Sequence, residues 1–178
     1  MNSRLFFNPF TQIAGFKSFI LGILGLIITT VLAYITGTHF NGFLNIDFAK
    51  DSHYWVYLIE NLSNWLFLSV FLHISGLILS HSKIRVIDTL GTMLFSRIPL
   101  ILAPLVRTIP LFQSFVIQSW EMYFIIGLYL VSLIWTIILL FNAFKISCNL
   151  RNERLIVSFI ISILLSEVCT KVVLKFII

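Results

Sequence analysis

The side chains with chemistry to offer are few and lie in apolar surroundings: Glu60, Asn61, Asn64, His73, Arg97, Arg107 and Glu167 all fall within hydrophobic runs. An ionisable group near the middle of a bilayer is costly and normally faces a bundle interior or a water-filled cavity. At about 1.5 Å of rise per residue, Arg97 lies about 14 Å along a helix that begins at Asp88, and Glu167 about 18 Å along one that begins at Leu155. Similar depth makes Arg97 and Glu167 a candidate ion pair. The same reckoning puts Glu60 and Arg107 both near about 28 Å, a second candidate pair. Two readings follow: a permeation or lipid-headgroup path, or structural pairs that hold helices in register. The structural reading is favoured, because Glu167 and Lys171 stand four apart and can satisfy each other on one helix face.

Enzymatic chemistry finds no support. A serine and a histidine occur together at His73 and Ser75, as nucleophilic catalysis requires. Two residues apart on a helix, they point roughly 200° from each other and cannot form a hydrogen-bonded dyad. No HExxH, paired acidic motif or glycine-rich phosphate loop is present, so no catalytic residue and no cofactor is expected. His39, His53, Asp47 and Asp51 cluster in one connection, but their spacing matches no metal-ligand signature. They are expected to be solvated loop residues, and no metal is expected. Cys148 and Cys169 are separated by about 20 Å of helix, which excludes a disulfide between them.

The elements that must position these groups are membrane spans. Of the 178 residues, 59% are hydrophobic and 11% charged, and the mean hydropathy is +1.03. Ordinary soluble domains run at about 45–50% and about 25%. A span needs about 20 residues, and apolar runs cover about 19–35, 55–79, 87–109, 122–144 and 155–178. The expected fold is therefore all-α, a polytopic transmembrane bundle of about five helices in a single membrane domain over residues 1–178. The net charge of +5 resides in basic residues that flank the spans, where they act as anchors and topology signals. Nucleic acid is not expected as a partner.

The rest of the chain is organised around Asp88 to Pro110, DTLGTMLFSRIPLILAPLVRTIP. Proline inside a helix removes a hydrogen bond and clashes with the preceding turn, at about 3 kcal/mol in water. Within a membrane bundle, neighbouring helices and hydroxyls can satisfy the freed carbonyls. The third span is thus expected to be a kinked helix, bent at Pro99 and Pro104. Gly22 and Gly25 give the first span a face for close helix contact, and Phe6, Phe7 and Phe10 are expected among the headgroups. The first span is expected to be retained, since no small-residue cleavage site follows it.

Lys and Arg counts set the orientation. Arg4, Lys17, Lys83, Arg85, Lys145, Arg151 and Arg154 fall on one side, against Lys50, Arg107, Lys171 and Lys175 on the other. The positive-inside rule then expects a cytoplasmic N-terminus and an outside C-terminus in the cytoplasmic (inner) membrane.

NPFTQIAGFKSF near the start, five spans in that orientation, and DTLGTMLFSRIPLILAPL in the third span together resemble the YIP1 family, particularly its short bacterial members. The resemblance covers nearly the whole chain. It implies a non-enzymatic integral membrane protein of the scaffold or interaction kind, whose eukaryotic relatives act in vesicle trafficking and associate with prenylated Rab-type GTPases. The DLYGP-like motif of those relatives is absent here, as is their long cytosolic N-terminal region, so Rab-type GTPase binding is not expected. The alternative class is a small transporter or channel subunit in which Arg97 and Glu167 line a path. Five spans do not divide into two related halves, as many transporters do. Expected partners are the lipid bilayer and either another membrane protein or further copies of the chain.

Overall fold

A computed structural model describes residues 6–49, 52–80, 82–112, 120–150 and 152–177. Arg4, Lys50, Asp51 and Arg151, used above, lie outside these residues. Five helical spans follow one another: α1 (Phe16–Thr36), α2 (Tyr54–Leu79), a third span built from α3 (Val86–Phe95) and α4 (Leu102–Val106), α5 (Trp120–Cys148) and α6 (Asn152–Ile177). All five are long and apolar enough to cross a membrane.

The pattern of burial is that of a bundle in lipid. On α1 the buried side is Ser18, Gly22, Gly25, Thr29, Thr30 and Ala33, while Ile20, Leu24, Ile27 and Ile28 face outward. On α6, Ser158, Ser162, Ser166 and Thr170 recur every four residues on the buried side, and Ile161, Leu165 and Val172 are exposed. Lipid tails are as apolar as leucine, so helices associate through small residues that allow close approach and through hydroxyls that find partners inside. Several hydroxyls turn back onto their own helix: Thr29 donates to the Gly25 carbonyl at 2.7 Å and Ser158 to the Arg154 carbonyl.

The main packing pairs are α1 with α3 and α2 with α6. Gly22 and Gly25 are the α1 contact face, since a Cβ at Gly22 would fall 2.8 Å from the backbone nitrogen of Phe95 and one at Gly25 2.8 Å from Ile98. The third span is the most buried of the five. It is interrupted after Phe95, where Ser96 and Arg97 lead into a 3₁₀ turn, Ile98–Ile101, with Pro99 in its first positions. Pro104 lies inside the short α4 that follows.

Ahead of α1, Phe6 and Phe7 are exposed, and it is Phe10 that differs from the headgroup-level placement expected. Phe10 is buried in the core and packs edge-on against Phe95, and the Phe6 ring stacks on Trp135 with centroids 4.2 Å apart. Trp135 and Asn142 of α5 donate to the carbonyls of Phe6 and Phe7. Phe6 and Phe7 are helical and stand at a helix end, where the last carbonyls have no partner within the helix, and α5 supplies the donors.

The connection between α1 and α2 departs most from expectation. It leaves α1 through Gly37, whose φ of 62° is the left-handed conformation that favours glycine at a helix end. It then forms a two-residue antiparallel hairpin, β1 (Thr38–His39) with β2 (Asp47–Phe48), and turns into the bundle. Phe40 and Phe43 belong to the core. Gly37 to Phe43, expected to be solvated, is buried apart from half-buried Asn41, whereas Leu44, Asp47, Ala49 and His53 are exposed.

Candidate functional site

Burying an irregular loop at the end of a membrane bundle creates a demand. Its backbone N–H and C=O groups need partners that water would otherwise supply, and such backbone is tolerated only where protein provides them. The buried polar side chains of the spans meet that demand. Glu60, 1% exposed on α2, accepts from the Phe40 N–H at 2.9 Å and lies 2.8 Å from His39 Nδ1. Asn64, one turn further along α2, donates to the Phe40 carbonyl at 2.7 Å. Glu167 on α6 accepts from the Leu44 N–H at 3.0 Å, and Tyr57 donates to the Ala49 carbonyl at 3.2 Å. Arg107, just past α4, donates to the Gly37 carbonyl and to Thr38 Oγ1, and its guanidinium sits 4.3 Å over the Phe48 ring. Burial lowers the pKa of Arg107 from the ordinary arginine value, with Tyr57 opposing the shift. Three spans thus grip one loop.

Gly42 shows how close the grip is. A Cβ there would collide with the Glu167 carboxylate. With Glu60 as a carboxylate, which can only accept, the His39 Nδ1 facing it carries a proton. His39 Nε2 is then left buried without a partner.

The pairings expected from depth are not those formed. Glu167 pairs with Lys171 at 2.9 Å along its own helix, not with Arg97. Arg97, 7% exposed, donates to the Asn61 main-chain carbonyl of α2 at 3.1 Å. Glu60 and Arg107 form no direct ion pair among the described residues; they approach the same stretch, Gly37 to Phe40, through separate bonds. Equal depth located the groups but not their partners, because the loop between α1 and α2 occupies the space in which Glu60 and Arg107 would have met. His73 lies apart from this end of the bundle and joins α2 to α3 through Nδ1 and Thr89 Oγ1 at 2.8 Å. Ser75 bonds instead to Ser162 of α6. His39, expected to be solvated, is buried against Glu60 with its ring stacked on Tyr57, whereas His53 is exposed. Asp47 accepts from Asn41 Nδ2 at 2.9 Å. Among the described residues no group of three or more His, Cys, Asp or Glu is placed to hold a metal. Cys148 and Cys169 are both free.

Sequence reasoning missed His39, Gly42 and the core placement of Phe40 and Phe43. The signal was there in the aromatic spacing of THFNGF, since phenylalanines three apart in a connection otherwise rich in polar residues have no reason to stay in water. It also missed Tyr129 of α5, whose buried hydroxyl lies within electrostatic reach of both Arg97 and Glu167.

Five apolar helices with their polar faces turned inward, and an inserted loop held by carboxylates, define a multi-pass integral membrane protein. The family model described as Yip1 domain matches residues 7–170, and the chain belongs to that family. Comparison with curated proteins and with solved structures gives no match.

Proposed function

We propose that the chain is a non-enzymatic scaffold or interaction protein of the cytoplasmic (inner) membrane, with its N-terminus in the cytoplasm and its C-terminus outside. The observation that carries this reading is the use to which the buried charges are put. Glu60 and Glu167 hold loop backbone and Arg97 holds the Asn61 carbonyl. Groups committed to fixing backbone are poor mobile ligands for a passing ion, and they give the bundle a rigid shape for another membrane protein, or a further copy, to recognise. Single-domain organisation and the absence of Rab-type GTPase binding belong to the same reading.

The transporter reading draws on Tyr129 of α5, whose buried hydroxyl has no hydrogen-bond partner among the described residues. The test combines two measurements on the full chain. Site-specific photo-crosslinking from outward positions such as Leu24 and Ile161 should capture a defined membrane partner or a second copy. Proteoliposomes should pass ions and small solutes no faster than empty vesicles. A flux that Arg97→Gln abolishes would replace the scaffold reading with the transporter one.

A further inference from the structure

A cleft of about 760 Å³ opens at the loop end of the bundle, between the inserted loop, the start of α2 and the last turns of α6. Its volume is that of a small-molecule site. The apolar residues Phe48, Val56 and Leu174 line it together with polar ones, among them Asn45, Lys171 and Lys175. Lys171 and Lys175 stand one helical turn apart on α6. The Lys171 ammonium is fixed by Glu167, though its side chain is 52% exposed; Lys175 has no carboxylate partner among the described residues. The two carboxylates of the lining are already engaged, Glu60 by His39 and the Phe40 N–H and Asp47 by Asn41. The lining sets two lysines against two carboxylates; Lys175 is its lysine without a carboxylate partner among the described residues, and His39, which also lines the cleft, has a buried Nε2 without a hydrogen-bond partner. At the same level Trp55 is 68% exposed, as an aromatic side chain among headgroups would be.

We propose that this cleft binds a phosphate ester, with the phosphate on Lys171 and Lys175. Phe48, Val56 and Leu174 accommodate the esterified part. Glycerophosphate has this chemistry, whether as the headgroup of a membrane lipid or as a free ester, and the inference does not depend on the scaffold reading.

Isothermal titration of the full chain in neutral detergent tests it with three probes: short-chain phosphatidylglycerol, glycerol 3-phosphate and short-chain diacylglycerol. Saturable binding of phosphatidylglycerol is expected, weakened at least ten-fold by Lys175→Gln and retained by Lys175→Arg. Lys17→Gln, at the opposite end of the bundle, should leave it unchanged. Asn45→Asp, which adds negative charge to the lining, should weaken binding as Lys175→Gln does and provides a second variant if the first melts early. Glycerol 3-phosphate binding as tightly, with the same sensitivity to Lys175→Gln, supports the site and assigns it a soluble ligand; its failure beside tight phosphatidylglycerol binding assigns a lipid. Equal binding of diacylglycerol, an equal loss in Lys17→Gln, or no loss in a folded Lys175→Gln variant would overturn the proposal.

Discussion

Glu60 Oε1 lies 2.8 Å from His39 Nδ1, with both side chains buried where α2 meets the loop that follows α1. The second oxygen of the same carboxylate takes the Phe40 N–H. One side chain therefore holds two successive loop residues, and the loop cannot leave the bundle without stranding a buried carboxylate.

Glu60→Ala should for that reason be among the most damaging single changes in the chain. Breaking a buried charged contact by removing one partner typically costs about 3–5 kcal/mol, and here the Phe40 N–H also loses its acceptor. Glu60→Gln keeps an acceptor of the same shape and should be milder. Thermal unfolding in detergent reads both, and a Glu60→Ala midpoint equal to that of the parent chain would mean that the loop is held by its phenylalanines alone.

Arg97 and Glu167 have separate partners, Asn61 and the Leu44 N–H with Lys171, so their effects should add. Glu167→Ala strands the Leu44 N–H at about 1–3 kcal/mol. The double variant with Arg97→Ala should match the sum of the singles to within about 0.5 kcal/mol. A coupling well above that would show the two charges communicating through Tyr129.

Pro99 stands in the 3₁₀ turn that interrupts the third span and Pro104 in the helical turn after it. We propose that the pair bends this span and that its neighbours are shaped to the bend. Replacing both with Ala should leave insertion intact and lower stability, although freeing the unfolded chain alone accounts for only about 1 kcal/mol of such a loss. Unchanged helix packing, read by inter-span crosslinking, would make the prolines incidental.

The proposed orientation calls for probes at exposed positions. Gly42 is a poor choice despite lying in the connection, because any side chain there meets Glu167. In a background lacking Cys148 and Cys169, Ser82→Cys should react with an impermeant maleimide only from the cytoplasmic side, and His53→Cys only from outside. The reverse pattern would invert the assignment.

How much of this was legible depends on the range of the interaction. Five spans could be read from the sequence because hydropathy is a property of each run by itself. The Glu167–Lys171 contact was legible as the alternative to a cross-span pair because four residues of helix place two side chains on one face.

What only the tertiary structure decided is where the polar groups of different spans find their partners. Leu44 and Glu167 are 123 residues apart, and no local periodicity relates them. Depth along a helix is a single coordinate, so it could bring Glu60 and Arg107 to one level without revealing that a loop fills the space there. Composition marked that loop as polar and therefore wet. The bundle reversed the reading for Gly37 to Phe43, because two carboxylates, an amide and a guanidinium supply the hydrogen bonds that water would have made, and Phe40 and Phe43 gain a core in exchange.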